Sequence, residues 1–129
     1  MSFRSLSLAN AATSLGFGLV GLLVPSILAT ALGIELIGVA AWVARLAATA
    51  YLGYAALAWF SRDVDEPVAT RAIAAGNAVA WGLGAAVVAA ALVAGYGEPR
   101  AWAFVVLQVA FASAWSLTLA RAPLAVRTA

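Results

Sequence analysis

Four long apolar stretches, separated by short polar breaks, constrain this chain more than any other feature. They run approximately over Leu6 to Val24, Leu36 to Phe60, Val68 to Ala94 and Ala101 to Ala120. An α-helix rises about 1.5 Å per residue, so about 20 apolar residues cross the hydrocarbon core of a bilayer. The sequence therefore predicts an all-α integral membrane four-helix bundle, a single domain over residues 1–129 whose short loops impose up-down connectivity.

Composition excludes several classes of protein. The chain is 66% hydrophobic and 9% charged, whereas soluble domains average roughly 45–50% apolar and about 25% charged residues. It contains neither Cys nor His, which removes thiol and imidazole chemistry and the usual zinc and haem ligands. Its seven basic residues are too scattered for a nucleic-acid interface. We expect no metal, no cofactor and no enzymatic activity, because no catalytic motif is present.

Prolines mark three of the predicted helix boundaries. Pro67 follows Glu66 and Pro99 follows Glu98, and a proline in the first turn after an acidic residue is typical of a helix start. Pro25 is followed by an apolar segment that either continues the first helix past a kink or forms a short helix at the membrane interface, which we favour. A signal-peptide interpretation with an Ala-Thr-Ala cleavage site is disfavoured, because Asn10 and several glycines dilute the apolar region.

Arginine distribution predicts the orientation. One side of the membrane receives five arginines, namely Arg4, Arg62, Arg71, Arg121 and Arg127. The opposite side receives Arg100 alone. Because cytoplasmic loops carry the excess of positive charge, both termini are predicted to be cytoplasmic. The abundance of Ala and the use of Arg in place of Lys suggest a bacterial protein of the cytoplasmic (inner) membrane.

Each predicted helix carries one strongly polar side chain within its apolar run. These residues are Asn10, Arg45, Asn77 and Gln108. Polar groups at membrane depth face protein or water and require partners, so they are the candidate site. Arg45 leads, and three roles stay open for it: snorkelling to the headgroups, structural hydrogen bonding, and contact with a ligand or ion. Asn10, Asn77 and Gln108 are more typical of interhelical hydrogen bonds.

The helical wheel places Arg45 among small residues. Its face includes Gly38, Ala41, Ala48, Thr49, Leu52, Gly53 and Ala56. Small residues let helices approach closely in lipid, so this face, with Thr49, is predicted to turn into the bundle. Counting depth along each helix puts Arg45 level with Gln108.

The depths predict specific partners. We expect the Gln108 carbonyl and a backbone carbonyl near Pro25 to satisfy Arg45, with Glu35 as the acid on that half of the membrane. Asn77 is expected to pair with Thr13 or Ser14. The indole N–H of Trp81, which lies beside Asn77 on the wheel, is expected to bond the Asn77 amide.

One segment carries a resemblance to known proteins. It is Arg45-Leu-Ala-Ala-Thr-Ala-Tyr-Leu-Gly-Tyr-Ala-Ala-Leu-Ala-Trp59, preceded by Pro25-Ser-Ile-Leu-Ala and the turn Gly33-Ile-Glu35. The chain resembles small bacterial four-helix membrane proteins of unassigned role, in which an Arg early in helix two precedes a Gly-rich stretch and a Trp. It has Ala48 where that group often has Gly. A looser architectural similarity to the ergosterol-biosynthesis scaffold family implies a scaffold role.

Two classes of function stay open from the sequence. The first is a non-enzymatic membrane protein that scaffolds partners or binds a lipid or another hydrophobic or amphipathic ligand, with Arg45 and Gln108 at its polar head. The alternative is an oligomeric small-anion channel or transporter, with Arg45, Asn77 and Phe104 or Phe111 lining the pathway. Expected partners are membrane lipids and either another membrane protein or further copies of this chain. Nucleic acid is not an expected partner.

Overall fold

A computed structural model describes residues 2–122, and these residues fold into five α-helices and one turn of 3₁₀ helix. The elements are α1 (Phe3–Leu23), α2 (Pro25–Leu32), α3 (Val39–Phe60), α4 (Pro67–Val93), the 3₁₀ turn (Pro99–Ala101) and α5 (Trp102–Arg121). The all-α prediction is confirmed for this part of the chain. Four of the helices are long and apolar enough to cross a membrane. Arg127, used above to predict orientation, lies outside the described residues.

The helix starts predicted at Pro67 and Pro99 are present, and each has its own local contacts. The Glu66 carboxylate accepts hydrogen bonds from the backbone N–H groups of Val68 and Ala69, at 2.9 and 2.6 Å, so it caps α4 at Pro67. Pro99 starts the 3₁₀ turn that leads into α5. There the Glu98 side chain forms an ion pair with Arg100, at 3.0 Å, and does not cap the turn.

The segment after Pro25 is a separate short helix. Val24 interrupts the chain with a non-helical backbone (φ −137°, ψ 67°), and Pro25 begins α2. The helix ends at Leu32, and Gly33 caps it with a positive φ of 69°, which suits glycine. A Cβ at Gly33 would also collide with Glu98. The Glu98 N–H donates to the Leu32 carbonyl at 3.1 Å, which ties the α2–α3 connection to the α4–α5 connection.

The long helices pack as two pairs. The backbones of α1 and α3 pack closely, and so do those of α4 and α5. The backbones of α3 and α4 approach each other at very few residues. Apart from Leu6, the buried stripe of α1 consists of small or polar residues, namely Ser7, Asn10, Ala11, Ser14, Gly18 and Gly21. Between the two pairs lies a cluster of large apolar side chains that includes Leu6, Trp81, Phe111 and Trp115.

The predicted buried face of α3 is wrong in its rotation. The buried residues of α3 are Ala48, Ala55 and Ala58, while Thr49, Gly53 and Ala56 are exposed. At about 100° per residue, the three buried residues are centred about 90° away from Arg45, which is half-buried. Seven of the nine alanines of α3 lie within an arc of about 120° that is centred about 100° from Arg45. The alanine-rich side of the helix is therefore buried, and not the side centred on Arg45.

The contact between α1 and α3 depends on the absence of a side chain at Gly18. A Cβ there would lie 2.6 Å from Leu52 Cδ2 and 3.0 Å from the Leu52 backbone nitrogen. We expect Gly18→Ala to lower the free energy of unfolding by about 1–3 kcal/mol, since the helices must move apart. Gly16→Ala is the matched control, because a Cβ at Gly16 meets nothing within 4 Å. Unfolding in mixed detergent micelles measures both, and equal stability of the two variants would contradict close packing at Gly18.

Candidate functional site

Three of the predicted polar residues form one hydrogen-bonded cluster, which we call the Asn10 cluster (Asn10, Asn77 and Trp81). The Asn10 amide donates to Asn77 Oδ1 at 2.8 Å, and Asn10 Oδ1 accepts the indole N–H of Trp81 at 2.9 Å. Asn77 also donates to the carbonyl of Ile73 in its own helix, at 2.9 Å. Asn10 is 1% exposed. The cluster therefore links α1 directly to α4 at a buried position.

The members of this cluster were predicted, but the pairing was wrong. Asn77 bonds Asn10 in place of Thr13 or Ser14, and Trp81 bonds Asn10 in place of Asn77. The cause is the start of α1, which begins at Phe3 and not at Leu6. At about 1.5 Å per residue, the three extra residues put Asn10 about 4.5 Å further along the helix, closer to the level of Asn77.

Arg45 uses one of its three predicted partners. Its Nε donates to the Leu22 carbonyl at 3.3 Å, and its guanidinium lies 5.3 Å from the centre of the Trp42 ring. Leu22 is in the last turn of α1, where carbonyls lose their helical partners. The predicted carbonyl near Pro25 is thus present. Within residues 2–122 Arg45 bonds neither Gln108 nor Glu35, so that part of the prediction is wrong.

Gln108 is buried without a full set of partners. It is 2% exposed, and among the described residues its Nε2 has no hydrogen-bond acceptor. Its Oε1 packs directly against Gly84, where a Cβ would collide with it. Ser14, which is fully buried on α1, also has a hydroxyl without a partner in this part of the chain. A buried polar group without a partner costs about 1–3 kcal/mol, so such groups mark sites that require explanation.

Thr49 is not part of the polar interior. It is exposed on α3, and its hydroxyl donates to the Leu46 carbonyl in the same helix, at 2.7 Å. The prediction that Thr49 faces the bundle is therefore wrong for the described chain. The rotation of α3 explains this, because Thr49 lies on the far side of Arg45 from the buried arc.

The two helix pairs diverge around an apolar cavity, which we call the apolar groove. It has a volume of about 490 Å³ and lies between the end of α1, α2, α3 and α5. Its walls include Phe17, Pro25, Leu28, Leu32, Ala44, Ala48, Tyr51, Ala103, Phe104 and Leu107. Arg100 lines it too, but its guanidinium is engaged by the Thr30 carbonyl at 2.7 Å and by Glu98 at 3.0 Å.

A second cavity adjoins the groove, and we call it the polar cleft. It has a volume of about 280 Å³ and separates α3 from α4. Its walls are Ser14, Ala47, Ala50, Tyr51, Tyr54, Ala80, Trp81, Gly84 and Gln108. Ala47 and Tyr51 line both cavities. Two of the buried side chains that lack a hydrogen-bond partner in the described chain, Gln108 and Ser14, thus lie in the wall of the smaller, more polar cavity.

Sequence reasoning missed Tyr51, Tyr54 and Gly84 as cavity residues. The tyrosines are three residues apart, and this spacing places both on neighbouring positions of one helix side. The cleft exists because α3 and α4 are separated from each other. No sequence pattern predicts this separation. Within residues 2–122, no group of three or more Asp, Glu, His or Cys side chains is arranged to hold a metal ion.

Comparisons of the chain with protein-family models, with curated proteins and with solved structures find no match. The resemblance to small bacterial four-helix membrane proteins stays a prediction. The features that bear on function are therefore the two cavities and the polar side chains around them.

The hydrogen bonds of the Asn10 cluster predict how substitutions of Asn10 and Asn77 change the free energy of unfolding. Asn10→Ala removes two interhelical hydrogen bonds and leaves the buried Trp81 N–H without an acceptor. Asn77→Ala removes only the hydrogen bond between Asn10 and Asn77. We expect Asn10→Ala to lower the free energy of unfolding by about 1–3 kcal/mol and Asn77→Ala by less. In a double-mutant cycle the two residues should couple by about 1 kcal/mol. Equal stabilities for the wild type and Asn10→Ala, or a coupling energy of zero, would contradict the cluster.

Proposed function

We propose that this chain is a multi-pass protein of a bacterial cytoplasmic membrane, with four spanning helices connected up and down and with α2 at the membrane interface. The support for insertion is the four long apolar helices and their many large exposed apolar side chains. Leu46, Leu57, Val87 and Val106 are each between 66% and 71% exposed, as suits side chains that face lipid.

Contacts at the two ends support the proposed topology and orientation. At one end Arg4 pairs with Asp63 at 3.2 Å, and Arg71 donates to the Ala122 carbonyl at 2.9 Å. At the other end Arg100 joins α2 through Thr30. Arg4 and Arg71 thus belong to the arginine-rich end, which we assign to the cytoplasm under the positive-inside rule.

Within this topology, we propose that the protein is a non-enzymatic binder of a hydrophobic or amphipathic membrane molecule. The observation that carries this proposal is the apolar groove. Its volume of about 490 Å³ falls within the roughly 300–1,000 Å³ typical of small-molecule sites. Arg100 is the charged residue of the groove wall, and it already has two partners within the protein. The groove therefore suits the apolar part of a ligand and does not require an anionic head group.

The contacts of the residues predicted to line an anion pathway favour ligand binding over that alternative. A pathway would require Arg45, Asn77 and Phe104 or Phe111 to share one lining. In the single chain, Arg45 bonds Leu22, Asn77 bonds Asn10, Phe104 packs on Phe17 with ring centres 5.0 Å apart, and Phe111 stacks on Trp81 with ring centres 4.7 Å apart. No observation specifically favours the pathway, so ligand binding is our proposal.

Photolabelling tests the groove directly. A diazirine-labelled palmitic acid should cross-link to groove residues on α2 and α5, and excess unlabelled palmitic acid should compete for this labelling. Ala103 lines the groove and is itself exposed, so Ala103→Phe should fill the groove without disturbing the core. We expect Ala103→Phe to reduce the competed labelling at least fivefold.

Ala110→Phe provides the matched control for this experiment. Ala110 is exposed on the same helix but does not line the groove, so its replacement should leave the competed labelling unchanged. Labelling that excess palmitic acid does not reduce, or that both variants reduce equally, would contradict an apolar ligand in the groove.

A further inference from the structure

The polar cleft has chemistry that the apolar groove lacks. Gln108 Nε2 and the Ser14 hydroxyl have no partners within residues 2–122, and both side chains line the cleft. Both residues are at least 98% buried, since Gln108 is 2% exposed and Ser14 is 0% exposed. An amide N–H₂ group only donates hydrogen bonds. A side chain of the cleft wall therefore holds a hydrogen-bond donor that has no acceptor among the described residues.

The position of the Gln108 carboxamide is set by its neighbours. Its Oε1 lies against Gly84, so the backbone of α4 blocks the carbonyl end of the amide on that side. The hydroxyl of Ser14 can rotate to donate or accept. An occupant with a carbonyl oxygen would satisfy the amide, whereas a wholly apolar occupant would leave the amide without a hydrogen-bond partner.

The walls of the cleft also restrict the charge and shape of an occupant. None of the nine residues that line it is Asp, Glu, Lys or Arg. An ionised group would therefore enter without a countercharge, which is costly inside a protein. Trp81 and Tyr51 form part of the wall, with ring centres 6.4 Å apart. Aromatic walls favour a flat ring that can stack on them or meet their edges.

We infer that the polar cleft binds the uncharged, planar, carbonyl-bearing head of a membrane molecule, with the chemistry of a quinone ring, and that Gln108 donates to its carbonyl oxygen. Where the proposed function also holds, the adjoining apolar groove takes the apolar tail of the same molecule past Tyr51. The cleft of about 280 Å³ is near the lower end of the range for small-molecule sites, as suits a head group without its tail.

Two probes of similar shape separate hydrogen bonding from apolar burial. Menadione carries two carbonyl oxygens on a bicyclic ring and has no tail, and 2-methylnaphthalene has the ring without the oxygens. Calorimetric titration of the full chain in mild detergent, corrected with empty micelles, gives both affinities. We expect the wild type to bind menadione at least tenfold more tightly than 2-methylnaphthalene.

Variants of the cleft assign this preference to Gln108. Gln108→Leu should reduce the preference to less than threefold, because the donor is lost while the apolar wall is kept. Gly84→Ala should weaken menadione binding, since its Cβ displaces the carboxamide. The matched control is Gly82→Ala, whose Cβ would meet only the Ala112 Cβ at 4.0 Å, and it should bind as the wild type does.

The outcomes distinguish this inference from the proposed function. Equal affinity for the two probes in the wild type, or an unchanged preference in folded Gln108→Leu and Gly84→Ala, would overturn the inference. If Gln108→Leu fails to fold, Gly84→Ala still decides it. Ala103→Phe should leave menadione binding unchanged, because this probe has no tail. Menadione binding without competed palmitic acid labelling would support the cleft and contradict the groove.

Discussion

The hydrogen bonds of Asn10 are the interactions on which the arrangement of the two helix pairs depends. Lipid tails are as apolar as leucine, so in the bilayer we propose, burial of apolar surface alone does little to drive helices together. Close packing at Gly18 holds α1 to α3. Between the pairs, backbones approach less closely, and Asn10 supplies two hydrogen bonds to α4. Removing them would leave the Phe17–Phe104 contact and the hydrogen bonds from Glu98 and Arg100 to α2 to align the pairs.

This arrangement explains why cavities exist in so small a chain. The link at Asn10 fixes α4 against α1, while α3 follows α1 and stands away from α4. The space left between α3 and the α4–α5 pair becomes the apolar groove at one level and the polar cleft at another, with Tyr51 between them. Trp81 belongs both to the Asn10 cluster and to the cleft wall, so the structural link and the proposed ligand site share a side chain.

Apolar length and proline chemistry were enough to predict the helices from sequence, because both act locally. Pro67 after Glu66 placed the start of α4, and the short α2 followed from Pro25. The polar residues of the interior were also predictable, since Asn10 and Gln108 stand out in apolar runs. Their pairing was not, because an error of three residues at the start of α1 shifts Asn10 by about one turn. The exposure of Thr49 was missed because the predicted face was centred on Arg45, whereas most alanines of α3 lie on another side of the helix.

The distance between α3 and α4 tests the central role of Asn10 most directly. The chain has no Cys, so Val43→Cys and Val87→Cys, at exposed positions of the two helices, would carry the only spin labels. Pulsed electron paramagnetic resonance then gives the distribution of distances between them. We predict one narrow distribution when Asn10 is present and a broad or shifted one with Asn10→Ala. An identical narrow distribution in both proteins would contradict the claim that Asn10 holds the helix pairs in place.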